Sequence, residues 1–295
     1  MDRKRQIALV AALVAVGLGA GHFVQKDAPQ QTASLPAVKP TTVVPLAAGP
    51  DDLPEPAPPV VKAPPATVPL ASPAAVEAEA CAAQLDMIPR ARAMIGITLI
   101  APCHGHQRVV IKHGGLVVTG RASANGVLFL DLPAMEPSGR VTVTFADGET
   151  VQGALPVPDM AAVQRFAVQW LDEDAFQINA FEDGADYGDP GHVSQATPHH
   201  PSDAGGFLTL LGDATVDLPM LAEVYTYPAA GKAEVVVEAA VTQATCGREL
   251  LGETLASQGG EVRTEELTLA MPECEAEGDI LVLKNLAPER KLATR

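Results

Sequence analysis

Aromatic residues are scarce in this 295-residue chain: one Trp, three Tyr and seven Phe. A core without many large rings has to be built from Val, Leu, Ile and Ala, and the β-branched part of that set favours strands. Cations are also few, 20 Lys/Arg against 36 Asp/Glu, giving a formal charge of −16. Residues 1–79 carry a net −1 and residues 80–295 a net −15, so the acidity belongs to the part with folding potential. Such a surface repels phosphates, and no stripe of Lys/Arg interleaved with aromatics offsets it; nucleic acid is not an expected partner. Several catalytic signatures are missing as well. There is no Gly-x-Ser-x-Gly elbow, no His-Glu-x-x-His, no phosphate-binding Gly-Lys loop and no Gly-x-Gly-x-x-Gly turn after a strand. The sequence therefore names no reaction, and a non-enzyme is the favoured reading.

One long uncharged run is present, from Ile7 to Val24. Its length approaches the roughly 20 residues that cross a bilayer core as a helix. Arg3, Lys4 and Arg5 precede it, and only Lys26 beside Asp27 follows, which sets the N-terminus in the cytoplasm and the rest on the export side. A cleaved signal peptide competes with this reading, since Gly17, Gly19, Ala20 and Gly21 are small. No clean Ala-x-Ala occurs there, so an uncleaved anchor over residues 1–24 is preferred. Gly17 and Gly21 form a Gly-x-x-x-Gly pattern that could pair two such helices as a homodimer.

Residues 25–79 change character. They hold 13 of the 26 prolines and no Phe, Trp or Tyr. Proline removes backbone donors and blocks helices, and nothing here can form a core, so the segment reads as a disordered, partly polyproline II linker.

Beyond it lie Cys81, Cys103, Cys246 and Cys274. On the export side these would be oxidised, in one of three pairings. The local pairs Cys81–Cys103 and Cys246–Cys274 match a division of the chain at Pro156-Val157-Pro158-Asp159 into residues 80–158 and 159–295. In the first part, strand signals fall at Met94–Ala101, Val109–Lys112, Leu116–Thr119, Gly126–Asp131, Val141–Phe145 and Val151–Leu155. In the second they fall at Arg165–Leu171, Phe176–Phe181, Phe207–Leu211, Leu221–Tyr227, Ala233–Val241, Glu265–Ala270 and Ile280–Leu286. Asn125-Gly126 and Asp147-Gly148 suit hairpin turns. A short helix is expected near Val76–Leu85. The predicted fold is mainly β: two Ig-like, β-sandwich-type domains behind a transmembrane helix and a proline-rich disordered linker.

Several stretches resemble a group of alphaproteobacterial membrane-anchored envelope proteins, some of them labelled translocases. They are Val168-Gln169-Trp170, Phe176 to Glu182, Gly184 to Val193, Ala101-Pro102-Cys103, Cys246-Gly247-Arg248-Glu249 and Leu281 to Leu286. The resemblance covers most of residues 80–290. It implies a single-pass inner-membrane protein with its bulk in the periplasm, and it supplies no catalytic residues.

Two clusters carry candidate chemistry. Cys103-His104-Gly105-His106, with His113 downstream, offers soft ligands, but a disulfide sulfur is not a thiolate ligand, and a solvated turn is the simpler reading. The loop from Glu182 to Gly206 holds Asp183, Asp186, Asp189, His192, His199, His200 and Asp203. These could gather calcium or zinc, although the spacing departs from an EF-hand and a plain acidic loop is favoured. Three functions follow. The first is a non-catalytic envelope scaffold whose acidic surface recruits a basic protein or cell-wall partner. The second is a metal-dependent enzyme built on the 182–206 loop. The third is a TonB-like or translocation-related accessory protein, weakened by the lack of Glu-Pro/Lys-Pro repeats. If the anchor reading holds, the full chain stays in the membrane pellet after alkaline carbonate washing, and protease added to the periplasmic side digests everything beyond residue 24. Release by carbonate, or protection of the bulk, would count against it.

Overall fold

The computed structural model describes residues 81–171 and 175–287. The anchor, with Arg3, Lys4, Arg5, Gly17 and Gly21, and the linker of residues 25–79 lie outside these. Among the described residues no helix is long and apolar enough to cross a membrane.

The described residues form sixteen strands, all paired antiparallel. In chain order the first seven are β1 (Gln84–Arg90), β2 (Met94–Ile100), β3 (Arg108–His113), β4 (Leu116–Arg121), β5 (Val127–Pro133), β6 (Arg140–Phe145) and β7 (Thr150–Ala154). They form a three-stranded sheet, β1-β2-β5, and a four-stranded sheet, β4-β3-β6-β7. Val and Thr alternate through β6, and its burial alternates with them, the pattern of a strand with one face on a core. Asp147-Gly148 closes the β6–β7 hairpin as expected. Asn125-Gly126 does not close a hairpin. It carries the chain from β4 in one sheet to β5 in the other. Gly126 has φ +74°, and a Cβ there would stand 1.8 Å from the Ala101 carbonyl oxygen, so no other residue fits.

The remaining strands are β8 (Gln164–Leu171), β9 (Gln177–Glu182), β10 (His192–Val193), β11 (Phe207–Leu211), β12 (Met220–Thr226), β13 (Ala233–Ala240), β14 (Glu249–Gln258), β15 (Glu261–Ala270) and β16 (Ile280–Leu283). They build a five-stranded sheet, β11-β12-β8-β14-β15, and a four-stranded sheet, β10-β9-β13-β16. Three strands went unpredicted. β14 reads ELLGETLASQ, where Gly252 and two polar residues hide the alternation. β10 has only two residues. β1 occupies Gln84 and Leu85, where the end of a helix was expected; its Pro89 is tolerated because the strand is an edge.

Both local disulfides form, Cys81–Cys103 and Cys246–Cys274. The first fixes the chain before β1 to the β2–β3 connection. The second ties the β13–β14 connection to the β15–β16 connection. In the chain-entropy view each contributes about 3–4 kcal/mol.

The break near residue 158 separates sheets but not cores. β8 is buried without interruption over its first six residues because the five-stranded sheet is covered on both faces. Ala167, Leu211, Ala222, Val224 and Leu255 join the cluster of Ile97, Val109, Ile111 and Val143 from the first half. Phe166, Val168, Tyr225 and Leu250 point the other way, onto Ile178 and Val237 of the four-stranded sheet. The five-stranded sheet is thus a shared middle layer.

Two arginines lock that junction reciprocally. Arg165 on β8 is 0% exposed. Its Nε donates to Thr226 Oγ1 at 3.0 Å, Nη1 to the Ala134 carbonyl and to Met160 Sδ, and Nη2 to the Arg92 carbonyl at 2.5 Å and to Met94 Sδ. That gives all five N–H groups an acceptor, without a carboxylate. Burial, and then the Arg92 charge, pull the guanidinium down to about 9, still protonated at neutral pH. Arg92, from the first half, reaches back to the carbonyls of Asp203, Gly205 and Tyr227. Replacing Arg165 by Met strands three buried acceptors and is expected to cost about 3–5 kcal/mol. Arg165→Lys should recover only part of that, because one ammonium cannot reproduce the fork. Urea denaturation followed by Trp170 fluorescence measures both, and a loss under about 1 kcal/mol for the Met variant would refute this role.

Candidate functional site

The 182–206 loop is held by its own polar side chains. Glu182 Oε1 accepts from the Gly206 N–H at 2.7 Å and from the Tyr225 hydroxyl at 2.8 Å, joining the two ends of the loop. Asp183 accepts from Lys232 N–H, Asp189 from Asp186 N–H, and Asp203 from His200 N–H, at 2.8–3.0 Å. His192 is stacked on Phe181, with ring centroids 5.0 Å apart. Its Nδ1 accepts from Gly188 N–H and its Nε2 faces Asn179 Oδ1 at 2.7 Å. His200 Nδ1 meets Ser202 Oγ at 2.9 Å, and His199 sits in the left-handed region at φ 55°. Among the described residues, no three of Asp183, Asp186, Asp189, His192, His199, His200 and Asp203 bring ligand atoms within 4.8 Å of one another. Glu182, Asp183, Asp189 and Asp203 are thus occupied by backbone donors, the usual use of short acidic side chains in turns.

The Cys103-His104-Gly105-His106 stretch is not a solvated turn throughout. His106 is exposed, but His104 is 5% exposed and stacked on Phe145 at 4.0 Å. The Asp147-Gly148 hairpin brings two carboxylates to it. Glu149 Oε2 stands 3.3 Å from Nε2, and Asp147 Oδ2 stands 3.9 Å from Nδ1, where Gln107 Oε1 also lies at 3.2 Å. His113 is separate. It is buried, its Nδ1 faces the Arg140 carbonyl at 2.9 Å and its Nε2 accepts from Met135 N–H at 2.8 Å, so the ring is held neutral and burial lowers its pKa.

A groove of about 610 Å³ opens where the first half stops covering the middle sheet. Its floor comes from β8, β14, β12 and β15, with Val117 of β4 as one wall. Leu171 and Leu251 stand 49% and 56% exposed in it. Trp170 is half-buried, packed against the core of the second half, and lines the groove, with Phe176 fully buried behind it in an edge-to-face contact at 6.3 Å. Gln169 fixes the wall: its Oε1 accepts from Val117 N–H at 2.9 Å, and its Nε2 donates to the Gly115 carbonyl and to Glu253. On the rim, Glu253 and Glu266 are direct cross-strand partners, both exposed. Like charges placed opposite one another on a sheet repel. Sequence reading missed this site because β14 was not recognised and because β4 and β8 meet only in the folded chain.

Glu223 on β12 is the other unusual acid. It is buried between the sheets, its Oε2 accepts from Ile178 N–H, and burial pushes its carboxyl up to about 7.

Comparison of the sequence with protein-family models and with curated proteins gives no match.

Because folded Glu223 holds its proton more tightly than the unfolded chain, its contribution is complete below pH 4.5 and is lost as the pH rises through about 7. The loss amounts to about 3 kcal/mol. Glu223→Gln keeps an acceptor for Ile178 and is expected to raise the melting temperature at pH 8 while leaving it almost unchanged at pH 4.5. An equal effect at both pH values would contradict the assignment.

Proposed function

We propose that this chain is a non-catalytic binding module of the cell envelope that holds an extended apolar segment with basic flanks, presented by a partner protein, in the groove beside Leu171 and Leu251. The observation that carries this reading is the pairing of exposed leucines with an acidic rim, Glu253 opposite Glu266. Apolar side chains in contact with water favour an apolar guest, since each fully buried Leu or Val side chain contributes about 1.5–3 kcal/mol. Glu253 opposite Glu266 favours a cation over that guest's end, and the −15 charge of residues 80–295 steers a basic partner toward the surface. β15 is the free edge of its sheet, and Glu266, Leu267 and Thr268 of β15 line the groove, so its main chain is at hand for an added strand.

The site is also pre-organised. Its wall and floor come from two halves sharing one core, and Gln169 bridges them, so little ordering opposes binding. A membrane anchor and long spacer over residues 1–79 would hold this face close to the inner membrane while letting it search the periplasm.

The test uses the purified full chain in detergent and labelled peptides with Leu/Val centres and Lys/Arg ends. Saturable binding is expected, weakened by salt because the rim charges are exposed. Leu171→Asp and Leu251→Asp should each weaken it by roughly tenfold or more, whereas Ile280→Asp, exposed on β16 of the four-stranded sheet, should not. Binding that ignores both groove substitutions, or that prefers acidic peptides, would overturn the proposal.

A further inference from the structure

The geometry points to a zinc-type divalent-cation site at the tip of the first half, with His104, Glu149 and Asp147 as ligands. His104 comes from the β2–β3 connection next to the Cys81–Cys103 bridge, and the carboxylates come from the β6–β7 hairpin. These are the only three His, Cys, Asp or Glu residues among the described ones whose ligand atoms all lie within 4.8 Å of one another. The histidine is not a surface ring that happens to lie near acids. It is 5% exposed, stacked on Phe145, and held with both nitrogens against oxygen atoms.

A neutral imidazole has one N–H and one bare lone pair, so one of its nitrogens meets an oxygen here unless the Gln107 amide turns its nitrogen toward Nδ1. If Nδ1 donates to Gln107, the Nε2 lone pair confronts the Glu149 carboxylate. A cation in that gap removes the repulsion. The spacing suits a metal: two ligand atoms about 2.0–2.1 Å from a tetrahedral zinc stand roughly 3.4 Å apart. His104 Nε2 and Glu149 Oε2 are 3.3 Å apart. A proton is the competing occupant, but charge-assisted N–H···O bonds are usually shorter, about 2.7–2.9 Å. Asp147 is the third donor, with a ligand atom within 4.8 Å of the other two. Its Oδ1 accepts from Glu149 N–H at 2.9 Å, and its Oδ2, 3.9 Å from Nδ1, reaches an ion on the Nε2 side by a turn of its exposed carboxylate. One imidazole and two carboxylates neutralise a divalent cation and leave a position open, and the imidazole selects zinc-like ions over calcium. The ion would cross-link the hairpin to the disulfide-bearing loop.

The experiment is calorimetric titration of the metal-free full chain with zinc, paired with melting curves. One zinc per chain and an upward melting shift are expected. Glu149→Gln and Asp147→Asn change exposed side chains, and the latter keeps the oxygen that meets Glu149 N–H, so the fold should survive. Each is expected to weaken zinc binding by roughly tenfold or more and to shrink the shift at the same zinc concentration. His200→Ala, in the 182–206 loop, should bind as the parent does. A calcium response equal to that of zinc, unchanged binding in both carboxylate variants, or no stoichiometric binding at all would each overturn the site and leave a proton in the gap. The peptide test of the groove is independent of this result.

Discussion

A guanidinium placed where water cannot reach loses about 1–3 kcal/mol for each N–H left without an acceptor. Arg165 sits in that position, and most of the architecture can be read as the answer. Its acceptors come from the turn after β1, the end of β5, the 158–162 turn and β12, which brings segments far apart in the chain to one point. No acid shares the burden, so the requirement is met by carbonyl, hydroxyl and thioether groups whose positions are fixed by backbone. A carboxylate could have satisfied it locally, whereas scattered main-chain oxygens can do so only when both halves are in place. Arg92 repeats the arrangement in the opposite direction. The pair therefore specifies how the halves meet, while the Val, Leu and Ala side chains around them supply the larger share of the burial energy.

A middle sheet packed on both faces is the result, and the groove follows from it. The first half covers only part of the outer face of that sheet. Where coverage ends, the same strand positions that are core elsewhere, Leu171 beyond Ala167 and Leu251 beyond Leu255, emerge into solvent. The acids of β14 and β15 then border an apolar ledge. Surplus negative charge and exposed leucine are in this sense one feature: the edge of a shared core.

Much of the β framework was legible in the sequence, because Val/Thr alternation and Gly-containing turns are local signals. Both disulfides are the local pairs that match the division of the chain near residue 158. What could not be seen was non-local. β14 lacks clean alternation since Gly252 replaces a side chain where Phe176 packs close. The Asn125-Gly126 turn was recognised, but whether it joins strands of one sheet or two depends on partners far along the chain. The 182–206 loop drew attention by composition, yet Glu182, Asp189 and Asp203 accept from its own amides. His104 stood out by residue type, but the acids that face it lie more than 40 positions later, on a hairpin read only as a turn.

The bridge between Cys81 and Cys103 also sets how load enters the molecule. β1 is an edge strand in antiparallel register with β2, so a pull on its first residue would peel its hydrogen bonds one by one, the weakest way to resist force. Any tension arriving along the chain from residues before Cys81 passes instead through the sulfur link to Cys103, just beyond the end of β2, a central strand bonded on both sides. The outermost strand is thereby taken out of the line of traction.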